Sequence, residues 1–321
     1  FSATPLFYEV TMAAIPEFVS PTIERIYKAY KIKSDNGWRP HLGASVIGRE
    51  CDREVWSIFR WITKADHEGR ILRLFDTGNH AEPRMVADIR ATGATCLDED
   101  PETGRQFRVE AHGGHFGGSM DAVILGLIEA PSSWHVGEFK THNDKSFVKL
   151  KKEGVEKSKI EHFVQMQVYM HLTKIKRAFY LAVNKNNDEL YSERINYDKD
   201  FALRVIERAG RIIHATNPPV RQSEDPSFFK CKFCDHWDNC HGGELPERNC
   251  RTCMHSTPTD DGEWLCEHGK DTWAISLETQ MVGCSSHRFI PNLVTGEQTD
   301  ADGETIIYKL RDGTEYKDDG Q

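Results

Sequence analysis

Apolar residues recur with helical spacing toward both ends of the first two hundred or so residues and with strand spacing between them. Ile23, Ile26, Tyr27 and Tyr30 follow the i, i+3, i+4, i+7 rule and predict a short amphipathic helix from Pro21, ahead of the turn-rich DNGWRP. Ser45 stands where a helix cap belongs, before Val46, Ile47, Val55, Trp56, Ile58 and Phe59, which puts Cys51 and Arg53 on or beside a helix. A longer helix is predicted over about 68 to 92, ended by Gly93. Phe107 to Ala111, Ser119 to Leu125 and Trp134 to Thr141 then alternate or run apolar over strand length. Residues 142 to 153 and 158 to 174 return to helical spacing; Ala178 to Val183 and Glu189 to Ile195 read as strands around NKNND, and Phe201 to His214 as a helix. This order predicts an α/β fold with a mixed central sheet flanked by helices. Beyond about 229 the pattern dissolves into Cys, Gly and Pro, where bound metal would have to hold the chain. From about 295 a hairpin around Ile306 to Leu310 is expected, followed by an acidic tail.

Composition bounds the reading. With 321 residues, 38% hydrophobic and 28% charged, the chain can bury a core and suits one large domain with an appendage. No run approaches the roughly 18 apolar residues of a membrane span, so a soluble, cytoplasmic protein without a membrane partner is expected, in the host cytoplasm if phage-encoded. Phe1 to Thr11 reads as a leader before Met12 and is given no function. A net charge of -9 argues against a partner held by bulk positive charge, so nucleic acid must meet a local patch. Lys145, Lys149, Lys151, Lys152, Lys157 and Lys159 supply one against Glu153 and Glu156, with Arg53 and Arg60 adding to it; the ordinary alternative is a solvated helix face. Phe147 and Tyr169 are candidate stacking rings for a frayed or single strand.

The most informative constellation is Asp121 in GGSMDAVIL with Glu138 and Lys140 in WHVGEFKTH. The interval lets one strand run out and return beside the first, and alternation places Glu138 and Lys140 on one face with Phe139 behind them. Two carboxylates and an amine then converge. That set suits phosphodiester hydrolysis: carboxylates hold Mg²⁺ or Mn²⁺, and the lysine orients or helps deprotonate a water. A surface hairpin with an exposed salt bridge is the alternative. Glu82 in FDTGNHAEPRM is placed to reach the same site, with His80 as competitor, and Gln165 and Tyr169 share a helix face at i, i+4.

Together these residues resemble the PD-(D/E)xK nuclease superfamily, and within it the RecB-type and phage recombination exonucleases. The matching positions are Glu82, Asp121, Glu138 with Lys140, and the Q-x-x-x-Y element Gln165 and Tyr169, over about residues 45 to 240. Met120 stands before Asp121 where the superfamily's name has proline. The resemblance implies a restriction-endonuclease-like core, with Glu82, Asp121, Glu138 and the Phe139 carbonyl as ligands to Mg²⁺ or Mn²⁺ and Lys140, Gln165 and Tyr169 completing the catalytic set. Because the basic patch directly follows Lys140 and should lie at the rim of the cleft, Arg53, Lys145, Lys149, Lys151 and Lys152 are the expected DNA contacts.

Nine cysteines lie at 51, 96, 231, 234, 240, 250, 253, 266 and 284, and their crowding toward the C-terminal third favours metal ligation over a disulfide framework. Cys231, Cys234 and Cys240 form one group, with Cys51 as a distant fourth; spacing alone leaves iron-sulfur and zinc both open. This arrangement resembles the iron-sulfur nucleases of the same superfamily, the AddB-type helicase-nucleases and the CRISPR-associated DNA-end nucleases, which implies a [4Fe-4S] cluster on these four residues. Such a cluster would close a loop of about 180 residues. Cys250, Cys253, Cys266 and Cys284 have the composition of a structural Zn²⁺ site, with His255, His268 and His287 as substitutes for the later cysteines; free thiols are the alternative. Cys96 is expected to be merely buried.

The resulting division is 1–40 leader and helix, 41–243 iron-sulfur nuclease core, 244–294 zinc-binding module forming a small C-terminal metal-binding lobe, and 295–321 hairpin and acidic tail. The expected activity is a metal-dependent DNA exonuclease acting at DNA ends, single-stranded ends included, in recombination, repair or replication, with a single-strand annealing protein as a candidate partner. Its rivals are a structure- or site-specific endonuclease and a non-catalytic DNA-binding assembly subunit.

Overall fold

A computed structural model describes residues 20–34 and 38–320 of the chain. The elements of its first two thirds are α1 (Pro21–Lys33), β1 (Leu42–Gly43), α2 (Asp52–Phe59), α3 (Gly69–Ala91), β2 (Thr95–Leu97), β3 (Arg108–Ala111), β4 (Phe116–Ser119), β5 (Ala122–Leu125), β6 (His135–His142), α4 (Asp144–Ser158), α5 (Ile160–Thr173), β7 (Arg177–Asn184), β8 (Leu190–Asn196) and α6 (Lys199–Ile213). The remainder holds α7 (Phe229–Lys232), β9 (Ser256–Pro258), β10 (Trp264–Cys266), β11 (Trp273–Ala274), α8 (Leu277–Val282), β12 (Gly296–Asp302), β13 (Thr305–Leu310) and β14 (Glu315–Asp318). No helix among the described residues is long and apolar enough to cross a membrane. The leader expected at Phe1 to Thr11 lies outside the described residues.

The chain divides into two units, one made of residues 20–34 with 67–76 and the other of 38–66 with 77–320. In the first, α1 forms where its periodicity predicts, but it buries no residue: Ile23 and Ile26 are exposed. Tyr30 Oη donates to Asp76 Oδ2 at 3.3 Å within that unit.

In the second unit, β2, β5, β6, β7 and β8 pair in that order into a mixed sheet. β6 and β7 run parallel, with α4 and α5 making the crossover between them; the other pairs are antiparallel. Strand alternation sorts the side chains into two layers. Phe139, Phe179, Leu181 and Val183 pack with Met85, Val86 and Ile89 of α3. Val136, Ala178, Tyr180 and Ala182 join the larger core with residues of α4, α5 and α6. Helices therefore cover both sheet faces, as an α/β fold requires. Gly93, at φ +88°, ends α3 as the sequence predicts.

Four expectations need correction. Ser45 caps no helix: residues 44–48 are turn, and α2 starts at Asp52 with Cys51 as its N-cap, Cys51 Sγ accepting from the Glu54 N–H at 3.4 Å. The run from Ser119 to Leu125 is not one strand; it breaks at Met120 and Asp121, with β4 in a small sheet with β1 and β3 and β5 in the mixed sheet. The acidic tail is folded, because β14 pairs with β13 and Asp318 is fully buried with its Oδ2 accepting from the Phe289 N–H at 2.6 Å. The cysteine-rich stretch shares the main core: Cys250, Trp264, Ile275, Ile290 and Leu293 sit in the same hydrophobic cluster as α2 and β4. Arg251 fastens that stretch by donating to the carbonyls of Phe59 and Pro40 at 3.0 and 2.8 Å while stacking 3.7 Å from the Trp61 ring centroid.

Candidate active site

The strand break at Met120 and Asp121 has a consequence for chemistry. It frees Asp121 from strand pairing at the mouth of β5, where its Oδ2 accepts from the Phe139 N–H of β6 at 2.7 Å. Lys140, two residues along β6 from Glu138, brings its ammonium 3.7 Å from the same Asp121 oxygen and into an ion pair with Glu138 Oε1. It also donates to the Phe139 carbonyl at 3.2 Å. Glu82, half-buried on α3, completes the group: burial raises its pKa first, then the Asp121 carboxylate raises it further while Lys140 opposes. Phe139 points the other way into the core beneath α3.

Glu138 is the unusual member. It is fully buried; Lys140 is ion-paired to its Oε1, and Oε2 has no hydrogen-bond partner. Burial pushes its pKa up to about 8 against the pull of Lys140, with Asp121 and Glu82 adding to the rise. For Lys140, burial works against the charge, but Glu138 and Asp121 outweigh it and the pKa rises. Burying this carboxylate with one oxygen unpartnered costs free energy that the Lys140 pair only partly offsets.

Gln165 and Tyr169 are both buried on α5; Gln165 Nε2 donates to Tyr169 Oη at 3.1 Å, and Tyr169 Oη donates to the Ser119 carbonyl at 2.8 Å. They hold the chain two residues before Asp121. The structure also gathers residues the sequence reading passed over. Tyr180 on β7 is the register partner of Glu138, and its hydroxyl lies 2.8 Å from His142 Nε2 and 3.0 Å from His162 Nδ1. The spacing of His162, Gln165 and Tyr169, at i, i+3 and i+7, was the available signal for His162; for Tyr180, which depends on strand register, the sequence carried none.

The lysine cluster follows β6 on α4, with Lys145, Lys149, Lys151, Lys152 and Lys157 exposed. Lys151 pairs with Glu189, and Lys149 lies 3.8 Å from Glu153. Lys159 is set apart: it is half-buried and gives its ammonium to Ser146 Oγ. Phe147 and Tyr169 are 1% and 2% exposed, which rules out the stacking role expected of them. Arg53 and Arg60 do not join the lysines. Arg53 donates to the Pro219 carbonyl at 3.1 Å beside the first cysteine group, and Arg60 is buried on the carbonyls of Arg251, Ser256 and Ala215.

Each of the two cysteine groups lines a cavity. Cys51, Cys231, Cys234 and Cys240 line one cavity together with Arg53 and Arg221, and Arg221 Nε donates to the Cys240 carbonyl at 3.0 Å. Cys250, Cys253, Cys266 and Cys284 line a second with His255, His268 and His287; burial, then Cys253, Cys284 and Cys266, push Cys250 up to about 12. His287 is committed in part to Thr252 Oγ1 at 3.1 Å. All nine thiols are free, and Cys96 is buried. Among the described residues, no group of three or more His, Cys, Asp or Glu is already arranged to hold a metal ion.

No family model matches the chain, and no curated protein does. Solved structures similar to it in part include the following. The protein SSO0001 has 16% identity over 68% of this chain and 96% of its own, with a TM-score of 0.38. LHK-Exo, an alkaline exonuclease from Laribacter hongkongensis, in complex with dAMP, has 17% identity over 59% of this chain and 90% of its own, TM-score 0.37. A phage-related exonuclease from Haemophilus somnus 129PT has 16% identity over 50% and 77%, TM-score 0.35.

Proposed function

We propose that this chain is a divalent-metal-dependent DNA nuclease that hydrolyses phosphodiester bonds at DNA ends. The observation that carries the reading is Glu138, fully buried with Lys140 against one oxygen and no donor on the other, facing Asp121 and Glu82. Glu82, Asp121, Glu138 and the Phe139 carbonyl would hold Mg²⁺ or Mn²⁺. A cation there polarises the scissile phosphate and acidifies the attacking water. Lys140, anchored by two carboxylates, orients that water and balances negative charge as it builds on the phosphate. Gln165 and Tyr169 fix the strand end that carries Asp121. Exposed lysines of α4 contact the phosphates on either side.

Asp121→Ala and Lys140→Ala should each lower cleavage of linear duplex DNA in Mg²⁺ by at least about a thousandfold while leaving the chain folded by circular dichroism. Near wild-type cleavage by either variant sinks the assignment. A closed circular duplex should survive conditions that consume the linear form; its cleavage would mark an endonuclease.

The cysteine groups extend the proposal. Cys51, Cys231, Cys234 and Cys240 would bind a [4Fe-4S] cluster, supported by their shared cavity and by the guanidiniums of Arg53 and Arg221, which offset thiolate charge. Cys250, Cys253, Cys266 and Cys284 would bind Zn²⁺. Brown protein with iron, sulfide and zinc is expected; colourless protein with zinc alone would remove the cluster and leave the nuclease reading in place.

A further inference from the structure

Apart from Lys140 against Oε1, Glu138 has no hydrogen-bond donor, and Oε2 has none at all, even though several donors share its side of the sheet. Tyr180 is its partner across the β6–β7 ladder, and both Tyr180 and Tyr169 feel its charge. The file of contacts behind Tyr180 accounts for this. The Lys159 ammonium can only donate, and it donates to Ser146 Oγ. Ser146 then turns its own hydrogen to His142 Nδ1, 3.1 Å away, which leaves the His142 proton on Nε2, facing Tyr180 Oη at 2.8 Å. Tyr180, having accepted, gives its hydrogen to His162 Nδ1 at 3.0 Å. Tyr169 likewise spends its hydrogen on the Ser119 carbonyl. Burial foremost, then nearby lysines, holds His142 down at about 4 and His162 at about 3, so both rings are neutral and can pass the pattern along.

We propose that the file Lys159, Ser146, His142, Tyr180 and His162 is a positioning device that turns the Tyr180 hydroxyl away from Glu138, keeping that carboxylate open for a divalent cation. The inference rests on the metal-site reading above. His162 is its terminal acceptor, and loss of that acceptor releases the Tyr180 hydrogen to cap a Glu138 oxygen in competition with the cation.

The test reads Mn²⁺ binding to the intact chain from the electron paramagnetic resonance signal of free Mn²⁺, counting as site-bound the fraction lost in Asp121→Ala. His162→Leu, which removes the acceptor, should weaken that binding on the order of tenfold, the effect of one hydrogen bond to a charged group. His162→Asn, which keeps an acceptor near the Nδ1 position, should stay within about twofold of wild type. The double variant His162→Leu with Tyr180→Phe should recover to within about twofold, since the competing donor is gone, and Tyr180→Phe alone should bind at least as tightly as wild type. A merely structural role predicts the opposite, the double variant being worse than either single one. Unchanged binding in His162→Leu, weakened binding in Tyr180→Phe, or no Mn²⁺ lost in Asp121→Ala would each overturn the proposal. DNA cleavage is assayed separately: the Mn²⁺ pattern without cleavage upholds the positioning device and removes the phosphodiesterase reading.

Discussion

At the scale of single residues, Glu138 sets a pH dependence whose sign follows from its surroundings. Its carboxyl binds a proton more tightly when folded, at about 8, than at its ordinary 4.5. The stability it contributes is therefore fully present below about 4.5 and lost as pH rises through about 8. Metal-free protein should melt several degrees lower at about pH 8 than at about pH 5, and Glu138→Gln, which cannot ionise, should flatten most of that fall. A bound cation reverses the trend, because it needs the carboxylate ionised: the rise in melting temperature on adding Mg²⁺ should grow across the same window. Melts at several pH values, with and without Mg²⁺, decide this; a Mg²⁺ effect equal at both ends of the window contradicts it. Side-chain alternation was enough to put Glu138 and Lys140 on one face. That Glu138 is buried, with its Oε2 free of donors, depends on Tyr180, His142 and His162, which strand register and a crossover bring in from elsewhere in the chain.

At the scale of elements, what was legible is what depends on neighbours in sequence. The periodicity of α3, α5, β7 and α6 marks them to within a few residues, because each buries a face that its own spacing defines. Ser45 misled because a capping residue type is common and the helix it should start lies seven residues on, where Cys51 does the capping. That substitution separates two roles in one residue. Cys51→Ser keeps a good N-cap, so α2 and the melting temperature of cluster-free protein should be unchanged, while iron content and visible absorption should drop to a small fraction of wild type. If Cys51→Ser retains full iron, Cys51 is a cap and not a ligand. A second element-level test lies in α4, which bends at Gly154, φ +73° and ψ 175°, to let the Val155 N–H reach Glu193 Oε2 at 2.8 Å. That region of backbone space is essentially reserved for glycine, so Gly154→Ala should destabilise the protein by about 1–3 kcal/mol in chemical denaturation.

At the scale of the whole molecule, a chain of net charge -9 must meet a polyanion through a small part of its surface. The composition left Arg53, Arg60 and six lysines as equals, and the structure divides them by what already occupies each charge. Arg60 is buried on carbonyls, Arg53 faces the first cysteine cavity, Lys159 serves Ser146, and Lys151 is neutralised by Glu189. Exposed Lys145 and Lys152 on α4 are the charges with most to gain from phosphate. Each phosphate contact contributes about one unit to the slope of log affinity against log salt concentration. In an Asp121→Ala background, where nothing is cut, Lys145→Ala with Lys152→Ala should therefore lower that slope by about two and weaken binding to any DNA sequence alike. Lys151→Ala should lower it by less than one, since its loss also frees Glu189 to repel the backbone. Arg53→Ala should leave the slope unchanged and disturb iron content instead. A slope that responds to Arg53 and ignores Lys145 and Lys152 would move the DNA path off α4 and onto the face beside Cys51 and Cys240.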